Sequence, residues 1–162
     1  MQRAMGKIVV GTVVAGALAL AWAVASSAQA ADPAVGTWKL NVAKSTFSPG
    51  PAPKSMTVTI ATAGKGLKVA IEAVGPDGVA AKWGYTTTGD DKDVPVAGNP
   101  AYDAATNVRA DSRHGTTTYK KGGKVILTVT TVISADGKTL NTVSKGTTAE
   151  GKPVHNVAVY DK

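Results

Sequence analysis

The fold is decided by residues 55–74, which read SMTVTIATAGKGLKVAIEAV. Apolar side chains occupy alternate positions on both sides of the central Gly-Lys-Gly, namely Met56, Val58, Ile60, Leu67, Val69 and Ile71. Alternation with period two places these side chains on one face of a strand, and glycine supplies the positive φ of a tight turn. The stretch therefore predicts two antiparallel strands joined by a hairpin, with one face of the pair buried.

The same pattern recurs along the chain after residue 30. This part contains 19 Thr and 16 Val but only 2 Glu and no Gln, a composition that favours strands over helices. Alternating runs between turn residues predict ten short strands, at Gly36–Asn41, Ser55–Ala63, Leu67–Val74, Val79–Thr88, Asp93–Val96, Thr106–Asp111, Gly115–Lys121, Lys124–Ser134, Thr139–Lys145 and Pro153–Tyr160. The proline-rich residues 42–54 are predicted to hold one helical turn or to form a covering loop. Because closure removes exposed edges, we predict an all-β fold, an antiparallel up-and-down β-barrel of about eight (8–10) strands, with a flattened β-sandwich as the alternative.

Residues 1–30 have the three parts of a secretory signal peptide. Two basic residues precede an uncharged apolar run at 8–24, and Ala28-Gln29-Ala30 places small residues before a cleavage point. The apolar run is slightly short for a transmembrane anchor, and no basic cluster follows it. We therefore predict cleavage after Ala30, one domain over residues 31–162, a periplasmic or secreted location, and no membrane-spanning segment after cleavage.

Composition excludes several kinds of site. The chain has no cysteine, so it has neither a disulfide nor a thiolate nucleophile, and two histidines cannot build a three-histidine zinc site. The acidic run Asp90-Asp91-Lys92-Asp93 lacks the spacing of a calcium loop, and we interpret it as a solvated hairpin tip. We predict no metal and no cofactor.

The histidines form no catalytic motif in the sequence. His114 lies between two predicted strands and His155 lies in the last one, and the chain has no Gly-x-Ser-x-Gly turn. We interpret both as turn or surface imidazoles and predict no catalytic residue. An enzyme is therefore a weaker hypothesis than a binding protein.

Two stretches of the chain resemble known proteins. Gly36-Thr37-Trp38 in the first predicted strand resembles the G-x-W of lipocalins and their calycin relatives. Residues 38–55 and 134–162 resemble a group of small exported bacterial proteins described as lipocalin-like. The resemblance implies a single lipocalin-like barrel in which Gly36 and Trp38 are structural residues, and it implies no particular activity. Lipocalins usually carry a late arginine over this tryptophan and a disulfide, whereas this chain has no arginine after Arg113 and no cysteine.

An aromatic pair indicates a candidate binding site. Trp83 and Tyr85 are two residues apart in one predicted strand, so they share a face with Val79 and Ala81. In a closed barrel one face is the interior, where aromatic rings either line a pocket or fill it. Arg109 would meet a ligand carboxylate if it pointed inward, whereas outward projection avoids burying an unpaired charge. We predict that Trp83, Tyr85 and Arg109 bind a small apolar or amphipathic molecule.

Charge leaves further functions open. The net charge is +7, and Lys120, Lys121 and Lys124 surround a predicted turn, which suits a weak association with anionic envelope material. Lysines at hairpins also prevent aggregation. Arginine is scarce and no basic stripe is interleaved with aromatic residues, so we predict no nucleic-acid binding.

The preferred function is a non-catalytic binding protein. The alternatives are an envelope interaction protein with a sealed core and, less favoured, a calycin-type enzyme.

Overall fold

The computed structural model describes residues 31–148 and 150–162, and the predicted signal peptide lies outside them. Ten strands form one antiparallel sheet, namely β1 (Gly36–Leu40), β2 (Ser55–Ala63), β3 (Gly66–Val74), β4 (Ala80–Thr87), β5 (Asp90–Pro95), β6 (Ala104–Arg109), β7 (His114–Lys121), β8 (Lys124–Ile133), β9 (Thr139–Thr147) and β10 (Pro153–Asp161). The order across the sheet is β4-β3-β2-β1-β10-β9-β8-β7-β6-β5, so β4 and β5 are its two edges. Consecutive strands pair everywhere except at these edges, and β1 pairs with β10.

The sheet is nearly closed into a barrel by a short bridge between its edges. Gly84 of β4 and Ala97, just after β5, exchange two backbone hydrogen bonds of 3.0 Å each. The predicted all-β, antiparallel, up-and-down architecture is confirmed, and the sheet has ten strands, slightly more than the favoured eight and at the upper limit of the predicted 8–10. A flattened sandwich would require two sheets, and the described residues form one.

The acidic run at Asp90 begins a strand instead of forming a hairpin tip. Gly89 has a φ of 74° and turns the chain immediately after β4, so β5 starts at Asp90. The pairing of β5 with β6 is irregular between Asp90 and Asp93, which indicates a β-bulge. A bulge leaves residues unpaired and shifts the alternation, which is why the sequence pattern placed the start of this strand too late.

Residues 41–54 cover a gap in the sheet. Strands β1 and β10 share only two residue pairs, Lys39 with Asp161 and Leu40 with Tyr160. The 3₁₀-helix Val42–Lys44 and the chain after it fill the remaining edge of β10, where Thr46 pairs with Val157. Both predicted features of this segment, the helical turn and the covering loop, are present.

Two packed clusters support the barrel from inside. The first joins β1, β8, β9 and β10 around the fully buried Trp38, and the second joins β3, β4, β6 and β7 around Tyr85 and Tyr119. Partly buried apolar side chains of β2, Met56 and Val58 among them, contact both clusters. In the described residues, no helix has the length and apolar character needed to cross a membrane.

Candidate ligand-binding site

A cavity of about 350 Å³ lies inside the barrel. Because neighbouring strands run in opposite directions, each connecting loop lies at one of the two ends of the cavity. At the end we call the Arg109 end, residues 110–113 connect β6 to β7, and residues 31–35 lead into β1. At the opposite end, which we call the Tyr102 end, residues 96–103 connect β5 to β6, and residues 41–54 connect β1 to β2. The cavity is lined by residues from both ends, and its volume lies at the small end of the range for ligand pockets.

The cavity lining is apolar on two strands and mixed on the strands that face them. Strands β2 and β3 provide only apolar side chains, namely Met56, Val58, Ile60, Leu67, Val69 and Ile71. Strands β6 to β10 provide further apolar side chains together with neutral polar groups, at Asn107, Thr117, Thr131, Thr142, Ser144 and Asn156. A core designed only to be filled would use apolar side chains on every strand, because each buried polar group requires a hydrogen-bond partner. The interior therefore suits an amphipathic guest.

Four aromatic residues form a cluster in the cavity, with Tyr102 and Tyr119 toward the Tyr102 end. The rings of Tyr85 and Tyr119 meet edge to face with centroids 6.0 Å apart, and those of Tyr102 and Tyr119 lie 4.7 Å apart. Trp83, which also lines the cavity, is opposite Ile71 on the neighbouring strand. Burial raises the pKa of Tyr119 well above its usual range, and the neighbouring Tyr85 adds to this shift. These phenols are thus neutral hydrogen-bonding groups and are not bases at physiological pH.

The indole N–H of Trp83 is the unusual polar group of this cluster. Its Nε1 is buried and forms no hydrogen bond of normal geometry, although it lies close enough to the Tyr119 hydroxyl to lower the pKa of that group slightly; it is the one such buried side-chain atom in the described residues. Leaving a buried donor unpaired costs about 1–3 kcal/mol. By contrast, Tyr85 is held in place, since its hydroxyl lies 3.3 Å from Oγ1 of Thr117, which also accepts a 2.8 Å hydrogen bond from Asn107.

Arg109 lies at the end of the cavity and is bound by a carboxylate of its own chain. Its Nη1 and Nη2 donate to the two oxygens of Asp32, at 2.6 and 3.0 Å, and Nη2 also donates to the carbonyl of Ser112 at 2.9 Å. The hydrogen bond from Arg109 holds the pKa of Asp32 below its usual range, against the opposing effect of partial burial. Arg109 thus neither projects freely outward nor stands unpaired in the interior.

Gly36 and Trp38 lie outside the cavity lining. Trp38 is 0% exposed and donates from Nε1 to the carbonyl of Ala34 at 2.9 Å. The Nζ of Lys162 lies 4.7 Å from the centre of the Trp38 ring, so Lys162 forms a cation–π contact with this tryptophan. Gly36 has a φ of 146°, and a Cβ there would lie 2.5 Å from Cε of Lys162.

The remaining candidate residues from the sequence are the two histidines and the hairpin lysines. The exposed His114 places Nδ1 2.8 Å from an oxygen of Asp111, and His155 is exposed on β10. Backbone N–H of Arg113, with help from His114, lowers the pKa of Asp111 to about 2. Lys120 binds Asp93 at 2.7 Å, whereas Lys121 and Lys124 form no ion pair within the described part of the chain. The described residues also contain no group of three acidic or histidine side chains placed to hold a metal ion.

Sequence reasoning identified part of this arrangement. Trp83, Tyr85 and Arg109 all line the cavity. It missed Tyr102 and Tyr119, which reach the same cluster from other elements, and Asp32, which lies 77 residues from its partner Arg109. The alternation of Thr117 and Tyr119 in β7 was a usable signal for an inward face, but threonine and tyrosine also occur on outer faces.

The chain matches no known family model, no curated protein and no solved structure.

Proposed function

We propose that this protein is an exported, non-catalytic binding protein that holds a small amphipathic molecule inside its barrel. The single observation that carries the proposal is the cavity of about 350 Å³, which is lined both by the aromatic cluster and by neutral polar groups of β6 to β10. The unpartnered Nε1 of Trp83 supports it, because a ligand oxygen placed there would satisfy the donor. The signal-peptide pattern of residues 1–30 and the lipocalin-like stretches are in keeping with the proposal.

Titration with an amphipathic probe tests the proposal. Decanol added to the purified protein should change the emission of Trp83, since the probe would replace the surroundings of the indole ring. Trp83→Phe is the matched variant, because it removes this indole and retains Trp38. A saturable change in the parent protein that is absent from Trp83→Phe is the expected result.

Calorimetry complements the emission measurement, because it detects binding without any fluorophore. The parent protein should release or take up heat with saturation, and its thermal midpoint should rise with decanol concentration. Neither heat nor a shift of the midpoint with decanol or with longer alcohols would overturn the proposal and would favour a sealed core.

A further inference from the structure

The permanent charges of the cavity lining come from arginine alone. Apart from tyrosines, the ionisable residues of the lining are Arg109, Arg113 and His114, and no aspartate or glutamate of the described residues lines it. All three belong to the end of β6, the start of β7 or the loop between them, so they lie together at the Arg109 end. Tyr102 and Tyr119 lie toward the other end. The cavity is therefore polarised, with its two arginines at one end and these two phenols toward the other.

Two carboxylates lie near this end, and both are already engaged within the chain. Asp32 forms the two hydrogen bonds to Arg109, and Asp111 binds the ring of His114. Arg113 forms no ion pair with any described residue, although its backbone N–H donates to Asp111 at 2.7 Å. Arg113 is thus a charged residue of the lining whose guanidinium has no carboxylate partner among the described residues.

We propose that the ligand is an anionic amphipath whose head group binds at the Arg109 end, against Arg113 and Arg109, with its apolar part along β2 and β3. This inference rests on the proposed function and names the class of molecule that the cavity selects. A guanidinium presents a planar fork that matches a carboxylate with two parallel hydrogen bonds. An incoming head group also competes with Asp32 for Arg109, so Asp32 weakens the binding of anions.

Three probes with one alkyl chain and different head groups test the inference. Decanoate is anionic, decanol is neutral and decyltrimethylammonium is cationic. Hydrogen bonds to a charged group contribute about 1.5–3 kcal/mol, so decanoate should bind at least about tenfold more tightly than decanol. The cationic probe should bind more weakly than decanol. The preference for decanoate should decrease as salt is added, because the Arg109 end is reached by solvent.

Charge variants locate the head group. Arg113→Gln should weaken decanoate about tenfold and leave decanol unchanged. Lys138→Gln is the matched control, because it removes one positive charge from the same end without touching the cavity lining. Asp32→Asn should strengthen decanoate binding several-fold, since it releases Arg109 from its competitor. Because Arg113 forms no ion pair, its replacement is expected to leave the thermal midpoint unchanged, which separates a loss of binding from a loss of fold.

The outcomes separate the two proposals. Equal binding of decanoate and decanol, or equal effects of Arg113→Gln and Lys138→Gln, would overturn the anionic head group and leave the binding function intact. Absence of binding for all three probes would remove the binding function as well. Tighter binding of the cationic probe would also contradict the inference.

Discussion

Trp38 is the central side chain of the cluster that joins β1 to β8, β9 and β10. It is the largest side chain that is fully buried in the described residues, and its Nε1 fixes the carbonyl of Ala34 above it. We expect Trp38→Ala to lower the free energy of unfolding by about 3–5 kcal/mol, because it leaves a cavity in a packed cluster. Chemical denaturation measures this change. Trp38→Phe should cost less, since it fills part of the space.

A matched exposed position provides the control for Trp38. Val79 is 63% exposed, so Val79→Ala should change the unfolding free energy by no more than about 0.5 kcal/mol. A Trp38→Ala variant that unfolds at the same denaturant concentration as Val79→Ala would show that the ring does not support the cluster.

The ion pair between Asp32 and Arg109 makes stability depend on pH. Because the pKa of Asp32 is lowered in the folded protein, its contribution is complete above the unfolded pKa of about 4 and is lost as pH falls through the folded pKa. The pair is partly exposed, so we expect a contribution of at most about 1 kcal/mol. Asp32→Asn should therefore flatten the decline of the unfolding free energy below pH 4, measured by denaturation at successive pH values.

Arg109→Gln tests the same ion pair from the other side. It should flatten the acid decline to the same extent as Asp32→Asn, and the double variant should add nothing further, because the two groups act as one pair. Independent, additive effects of the two substitutions would assign the pH dependence to other groups.

Strand β4 closes the barrel through a glycine that tolerates no side chain. A Cβ on Gly84 would lie 2.6 Å from the carbonyl oxygen of Val69 on β3, so Gly84→Ala must displace β4 where it meets Ala97. We expect a loss of about 1–3 kcal/mol and faster hydrogen exchange at the Ala97 amide. Gly115→Ala is the control, because the nearest atom to its Cβ would be 3.4 Å away. Equal exchange rates at Ala97 in both variants would mean that Gly84 does not hold the closure.

The strands were predictable because alternation is a local property. Each of the ten predicted runs corresponds to an observed strand, since burial on one face requires an apolar residue at every second position. The errors occur where tertiary pairing overrides that pattern. The bulge at Asp90 shifts the start of β5, and Asp32 meets Arg109 only because the sheet curves until residues 77 positions apart are neighbours. The position of Trp83 on the inner face was likewise predictable, whereas its unpartnered Nε1 depends on packing that no local pattern records.

The interior of the barrel either has room for a ligand or is filled by its own side chains. A substitution inside the barrel distinguishes these two states. Ser144 of β9 lines the cavity, so Ser144→Leu would place additional apolar atoms in that space. If the space is open, the added contacts should raise the free energy of unfolding by about 0.5–2 kcal/mol, as cavity-filling substitutions commonly do. The same atoms should displace the ligand and weaken decanol binding about tenfold or more. Asn141→Leu on the outward face of the same strand controls for leucine itself and should leave binding unchanged. A Ser144→Leu protein that is less stable by more than about 2 kcal/mol, as overpacking predicts, would show that the interior is already filled.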